Sequence, residues 1–111
     1  MAVVSISEHK VVGFAAWALD ALMRGVLPFL PADSAAAEVV RRAQESRIEF
    51  LPFEEMKPSD YRILADGLSG YLDWLREHGS VGWQSPEAFP SYVEGVEEVL
   101  ALVEGEAAPT E

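Results

Sequence analysis

The side chains with the widest chemical repertoire are nineteen carboxylates and two imidazoles, His9 and His78, and there is no cysteine. Lacking a thiol, the chain has no disulfide framework, no cysteine zinc site and no thiolate nucleophile. The two histidines lie far apart, and neither belongs to a His-x-x-x-His or Glu-x-x-His pair. A carboxylate-bridged metal site inside a helix bundle is therefore not expected, and each imidazole reads as solvated. No glycine-rich phosphate loop and no nucleophile elbow occurs. The carboxylates fall at solvent-facing positions of the helices that carry them, where they serve solubility rather than proton transfer. The chain thus reads as non-enzymatic, with no cofactor and no metal.

Three groupings rise above this background. The first is an acid stripe, Glu87, Glu94, Glu97 and Glu98, extended by Glu104. Glu94 and Glu98 are a like-charge i,i+4 pair that costs a helix roughly 0.2–0.5 kcal/mol, and no base follows in the sequence to relieve it. The second is the flank Ile63, Gly67, Gly70 and Trp74. Interior glycines cost a helix about 1 kcal/mol each against alanine. Two of them one turn apart permit close helix contact, or leave a shallow groove beside Trp74. The third is the loop Gly79–Tyr92, "GSVGWQSPEAFPSY". Phe89 shares the helical phase of Val93, Val96 and Leu100 and is expected to be buried. Trp83 belongs to no stripe, so no pattern obliges it to pack. Beside the acid stripe it has the character of an aromatic anchor for a basic partner.

These groups must be positioned by helices, because the apolar spacing is helical almost throughout. A first helix is expected over Ser7–Gly25, apolar on most sides. A second is expected over Ser34–Phe50, capped by Asp33 or Ser34, and a third over Asp60–His78, capped by Ser59. Gly79 is placed to end the third helix in a left-handed conformation. Pro86 and Pro90 predict a short turn at 86–89, then a main helix from Pro90 to Val103 and a frayed tail over 105–111. Val3 to Ile6 has strand character but no obvious partner. The expected architecture over residues 1–111 is a single all-α domain, a four-helix bundle with proline-containing connections.

Charge narrows the partners. Residues 1–48 hold five acids and five bases, residues 49–76 carry net −3, and residues 77–111 hold eight acids and no base. The total of −11 repels nucleic-acid phosphates and anionic lipid and attracts basic surfaces. The longest apolar run, Val11–Leu19, is too short to span a bilayer, which takes about 20 apolar residues. The N-terminus has no basic region preceding an apolar run and a cleavage site, so a cytoplasmic location is expected. The leading expectation is a non-enzymatic protein-binding domain, in its most specific form an immunity or antitoxin-type inhibitor of a basic toxin or enzyme. Trp83, Glu87, Glu94, Glu97 and Glu98 are its expected partner-binding residues. Two alternatives are a subunit that homodimerises through helix 1, presenting Phe14 and Trp17, and a small-molecule-binding domain using Gly67, Gly70 and Trp74.

Overall fold

The opening stretch AVVSIS is rich in β-branched residues, which favour extended chain. In the computed structural model, which describes residues 2–7, 10–47, 49–54, 56–80, 83 and 85–107, it forms strand β1, Ala2–Ser7. Strand β2, Lys10–Phe14, pairs with it antiparallel, and strand β3, Phe50–Pro52, pairs with it parallel on the other side. Four helices complete the chain: α1 (Ala16–Val26), α2 (Ala35–Ser46), α3 (Pro58–His78) and α4 (Phe89–Ala107). The expected all-α bundle is therefore corrected to an α+β fold with a three-stranded mixed sheet of order β2-β1-β3.

The error has a local cause. Val12, Ala15, Leu19 and Leu22 fit a helical stripe, but Val12 and Phe14 also alternate with Val11 and Gly13 at the period of a strand. The hairpin decides between them: Val4 opposes Val12, and Ala2 opposes Phe14. Helix α1 begins only after Ala15, nine residues later than Ser7, the expected start. His9, expected to be solvated, lies outside the described residues. Helix α2 stops at Ser46, short of the expected Phe50, because Arg47 turns left-handed at φ 54°. Further on, at β3, the chain is extended, and Leu51 lies beside Val4. A parallel return of this kind needs a long crossover, supplied here by α1 and α2.

The inner face of the sheet, with Val4, Ile6, Val12, Phe14 and Leu51, is buried beneath the helices, while Val11 and Phe50 on the opposite face are exposed. Two polar features lock the helices in place. The Ser34 hydroxyl accepts from the Ala37 amide at 3.1 Å and caps α2 as expected. The buried Tyr61 hydroxyl of α3 donates toward the carbonyls of Ile6 and Phe53, joining α3 to β1 and to the chain leaving β3. Helix α3 starts at Pro58 rather than Asp60. Lys57 occupies the cap position and Asp60 accepts from its amide at 3.2 Å, so Ser59 is not the cap. Gly79 ends α3 with a positive φ of 63°, as the sequence implied. Its ψ of −151° goes beyond the left-handed helical region into one that essentially only glycine visits.

A short 3-10 turn at Pro86–Ala88 precedes α4, in keeping with the two prolines. Helix α4 continues past Val103 to Ala107, so the first three residues of the expected tail are helical and 108–111 lie outside the described residues. Lys10 reaches Glu106 at 3.2 Å across β2 and α4, which helps to hold that last turn. Among the described residues no helix is long and apolar enough to cross a membrane.

Candidate functional site

The start of α4 gathers aromatic rings that the sequence had left separate. Tyr92, one turn into the helix, is buried, and the half-buried Trp83 lies against it at 5.3 Å between ring centroids. Trp83 also meets Phe89 edge-on at 5.1 Å and Trp17 edge-on at 5.9 Å. Edge-to-face contacts of this kind are favoured by the ring quadrupole. The loop tryptophan that nothing obliged to pack is thus held in a cluster drawn from α1, the loop and α4. Phe89, expected in the core, is only half-buried, and Tyr92 takes the interior position instead. Val81 and Gly82, expected to help the loop reverse, lie outside the described residues.

Tyr92 connects this cluster to a second one. Its hydroxyl shares a 2.7 Å hydrogen bond with that of Tyr71 on α3, inside the protein. Burial pushes the pKa of both phenols above the usual tyrosine range, and for Tyr92 the bond to Tyr71 raises it further. Tyr71 in turn stacks with Trp74 at 6.3 Å and touches Phe29 at 6.0 Å. Trp74 stacks on His78 at 4.2 Å, and the His78 Nδ1 lies 2.9 Å from the Trp74 carbonyl oxygen. Although these rings join through buried tyrosines, the outer members are open to water: Trp17 is 51% exposed, Trp74 45% and Phe29 38%. Large aromatics that remain this exposed are enriched at contact faces.

Glycines set how closely the elements approach. A Cβ at Gly67 would stand 2.5 Å from Leu30 Cδ2, and one at Gly70 3.0 Å from Phe29 Cδ1. The flank that could have been a groove beside Trp74 is therefore filled by the chain's own Leu30 and Phe29. Gly25, expected to end the first helix, lies inside α1, which runs on to Val26, and a Cβ there would collide with the Tyr71 ring. Its signal was the spacing Trp17, Ala21, Gly25, Phe29, an i+4 series with small residues between two aromatics. The homodimer reading relied on Phe14 as well as Trp17. Phe14 is buried on β2, its ring against Gly95 of α4, and only Trp17 reaches the surface.

The acids divide. Glu97 accepts from Arg76 at 2.7 Å, so the base that ends the positive charge in the sequence is returned to the acidic helix by the packing of α3 on α4. Glu87, Glu94, Glu98 and Glu104 are exposed and make no ion pair among the described residues. Grooves of roughly 430–640 Å³ border α2, and none of the three tryptophans lines them. Among the described residues no group of three or more His, Cys, Asp or Glu side chains is placed to hold a metal ion.

No family model matches the sequence, and neither the curated proteins nor the solved structures contain a significant match to it.

Proposed function

We propose that this chain is a non-catalytic protein-binding domain that engages a basic partner. In its most specific form it is an immunity or antitoxin-type inhibitor that lays carboxylates over a cationic active site. The observation that carries the reading is the half-exposed Trp17, seated on Trp83 and Tyr92 where the acid-bearing α4 begins. A rigid aromatic pair supplies contact area at small entropic cost, and a rim of unpaired carboxylates supplies long-range attraction. Glu87, Glu94, Glu98 and Glu104 are the acids near or on α4 that make no ion pair among the described residues, whereas Glu97 is engaged by Arg76.

The test is affinity capture from the native host at low and high salt, with the wild type beside a Glu94→Lys/Glu98→Lys variant. A basic protein recovered by the wild type, and depleted both by the double reversal and by salt, is the expected result. Subsequent kinetics should show slower association for the double reversal with a flatter salt dependence, because rim charges act on the encounter. A captured partner whose association rate is indifferent to salt and to both reversals would remove the electrostatic basis of the proposal.

A further inference from the structure

Strand β2 is an edge of the sheet, and the direction of its backbone groups follows from β1. Successive residues of a strand turn their N–H and C=O to alternate neighbours. The Val3 amide donates to the Glu49 carbonyl at 3.0 Å and the Ser5 carbonyl accepts from the Phe53 amide at 2.8 Å, so Val3 and Ser5 face the β3 side. Ala2 and Val4 then face β2, where their partners are Phe14 and Val12. Val11 and Gly13 are left with N–H and C=O pointing outward, and both residues are exposed. Neither makes a backbone bond to another element among the described residues. An edge in this state is a template for a further strand. The opposite edge is blunted, because β3 is only three residues long and ends in Pro52.

Helix α4 lies along the same edge. Gly95 faces the Phe14 ring and Glu106 reaches Lys10, so one stripe of α4 follows β2. A second stripe, Tyr92, Val96, Val99 and Val103, is buried, and Tyr92 bonds to Tyr71 of α3. Tyr61 of α3 bonds to the carbonyls of Ile6 and Phe53, which sets α3 toward β3 and the far flank of α4 toward the open edge. At 3.6 residues per turn, Glu98 lies roughly 60° and Glu94 roughly 100° round from Gly95, in the sense away from the buried stripe. Both stand on that far flank with the exposed Ser91, Ala101 and Gly105. Neither acid is ion-paired among the described residues, and the neighbouring bases are already engaged: Lys10 with Glu106, Arg24 of α1 with Asp20, and Arg76 of α3 with Asp73 and Glu97.

Charge chooses the occupant. A second copy joined β2 to β2 about a two-fold axis would bring Glu94 and Glu98 toward their own counterparts, like charge against like. A basic strand meets opposite charge instead. Antiparallel pairing is the more stable per residue, and the side chains of an added strand alternate between the two faces of the sheet. One set then meets the acids of α4, and the other covers the exposed Val11. We infer that the open edge of β2 takes up an extended segment of the basic partner as a fourth, antiparallel strand, with lysine or arginine at alternate positions toward Glu94 and Glu98 and apolar residues between them. The inference rests on the proposed function and adds how the partner docks and what sequence pattern it presents.

The experiment titrates isotope-labelled protein at low salt with a short peptide of alternating lysine and valine, following the backbone amides. The comparisons are the same peptide with glutamate for lysine, and the lysine peptide N-methylated at its valines. N-methylation keeps the charge and removes the donors that would face Val11 and Gly13. The Val11 and Gly13 amides should shift saturably with the lysine peptide, and their hydrogen exchange should slow about ten-fold. The glutamate peptide should leave them unmoved, and the N-methylated peptide should bind about ten-fold more weakly. Glu94→Lys with Glu98→Lys should weaken the lysine peptide about ten-fold. Gly13→Pro removes an outward donor and no bond to β1, and proline is tolerated at such an edge position. It should weaken the peptide about five-fold with the melting temperature nearly unchanged. Equal affinity for the parent and N-methylated peptides overturns the inference and leaves the electrostatic proposal standing, since charge alone would then hold the peptide. Shifts confined to α4 with unmoved β2 amides do the same. A lysine peptide that fails to bind also overturns the inference, and capture of a basic partner by the wild type then decides the broader reading. Shifts of the β2 amides that depend on protein concentration without peptide would give the edge to a second copy and sink the inference.

Discussion

The Tyr71–Tyr92 pair gives the most direct handle on the structure. Both rings are at most 5% exposed, and the hydroxyls meet at 2.7 Å. Tyr71→Phe removes one partner and strands the Tyr92 hydroxyl in the interior. An unsatisfied buried hydroxyl costs about 1–3 kcal/mol, so a loss of about 1.5 kcal/mol is expected, and Tyr92→Phe should cost about the same. The double variant leaves no stranded donor, and its loss should be about 1 kcal/mol rather than the sum of the two. The coupling energy is then about 2 kcal/mol, large for a pair 21 residues apart in sequence. Urea denaturation followed by far-UV circular dichroism measures all four corners of the cycle. The single variants should melt roughly 5 °C lower. Alkaline pH provides a second readout. Both phenols have pKa values raised in the folded state, so above about pH 10 the unfolded chain loses these protons first. Their contribution to stability is therefore full below about pH 10 and falls as pH rises, by up to about 1.4 kcal/mol per pH unit for each protected tyrosine. Tyr71→Phe should remove one such contribution. Strict additivity in the cycle, together with an unchanged alkaline slope, would show the hydroxyls to be solvated and refute the buried link between the two aromatic groups.

Other variants probe the sheet, the left-handed turn and the surface charges. Leu51→Ala, at a fully buried site beside Val4, should cost about 2–5 kcal/mol in chemical denaturation. A neutral result would mean that β3 is not part of the core. Arg47→Gly should raise stability by about 0.5–1 kcal/mol, because glycine adopts the left-handed turn after α2 without a Cβ penalty. A lower melting temperature would show that the arginine side chain has a stabilising role there. Arg76→Ala should cost under about 1 kcal/mol, since its partners Asp73 and Glu97 are exposed. Its effect should shrink further as salt is added.

How much could be read in the chain depends on the range of the forces at each place. The positions of α2, α3 and α4 follow from signals within a few residues: apolar spacing, the Ser34 cap, Gly79 and the pair Pro86 and Pro90. Even there the ends moved where a neighbour intervened, as at Lys57 and Ala107. The candidate face was legible in parts. Trp17, Trp74, Trp83 and the glutamates of α4 stood out as residues, but Tyr71 did not, because its importance lies in what it touches.

The amino-acid order by itself determined helix periodicity, the turn chemistry and a net charge of −11, all properties of residues or of near neighbours. It could not place β2, since Val12 satisfies the helical and the strand period equally well until β1 supplies hydrogen-bond partners. Nor could it give β1 its second neighbour, because Phe50–Pro52 reaches Val3–Ser5 only after α1 and α2 have carried the chain across. The same holds for charge and aromatics. Arg76 neutralises Glu97, and Trp17 meets Trp83, only once α1, α3 and α4 are packed. Those contacts join residues far apart in sequence, and the loop entropy they cost is offset only by the burial of the whole core.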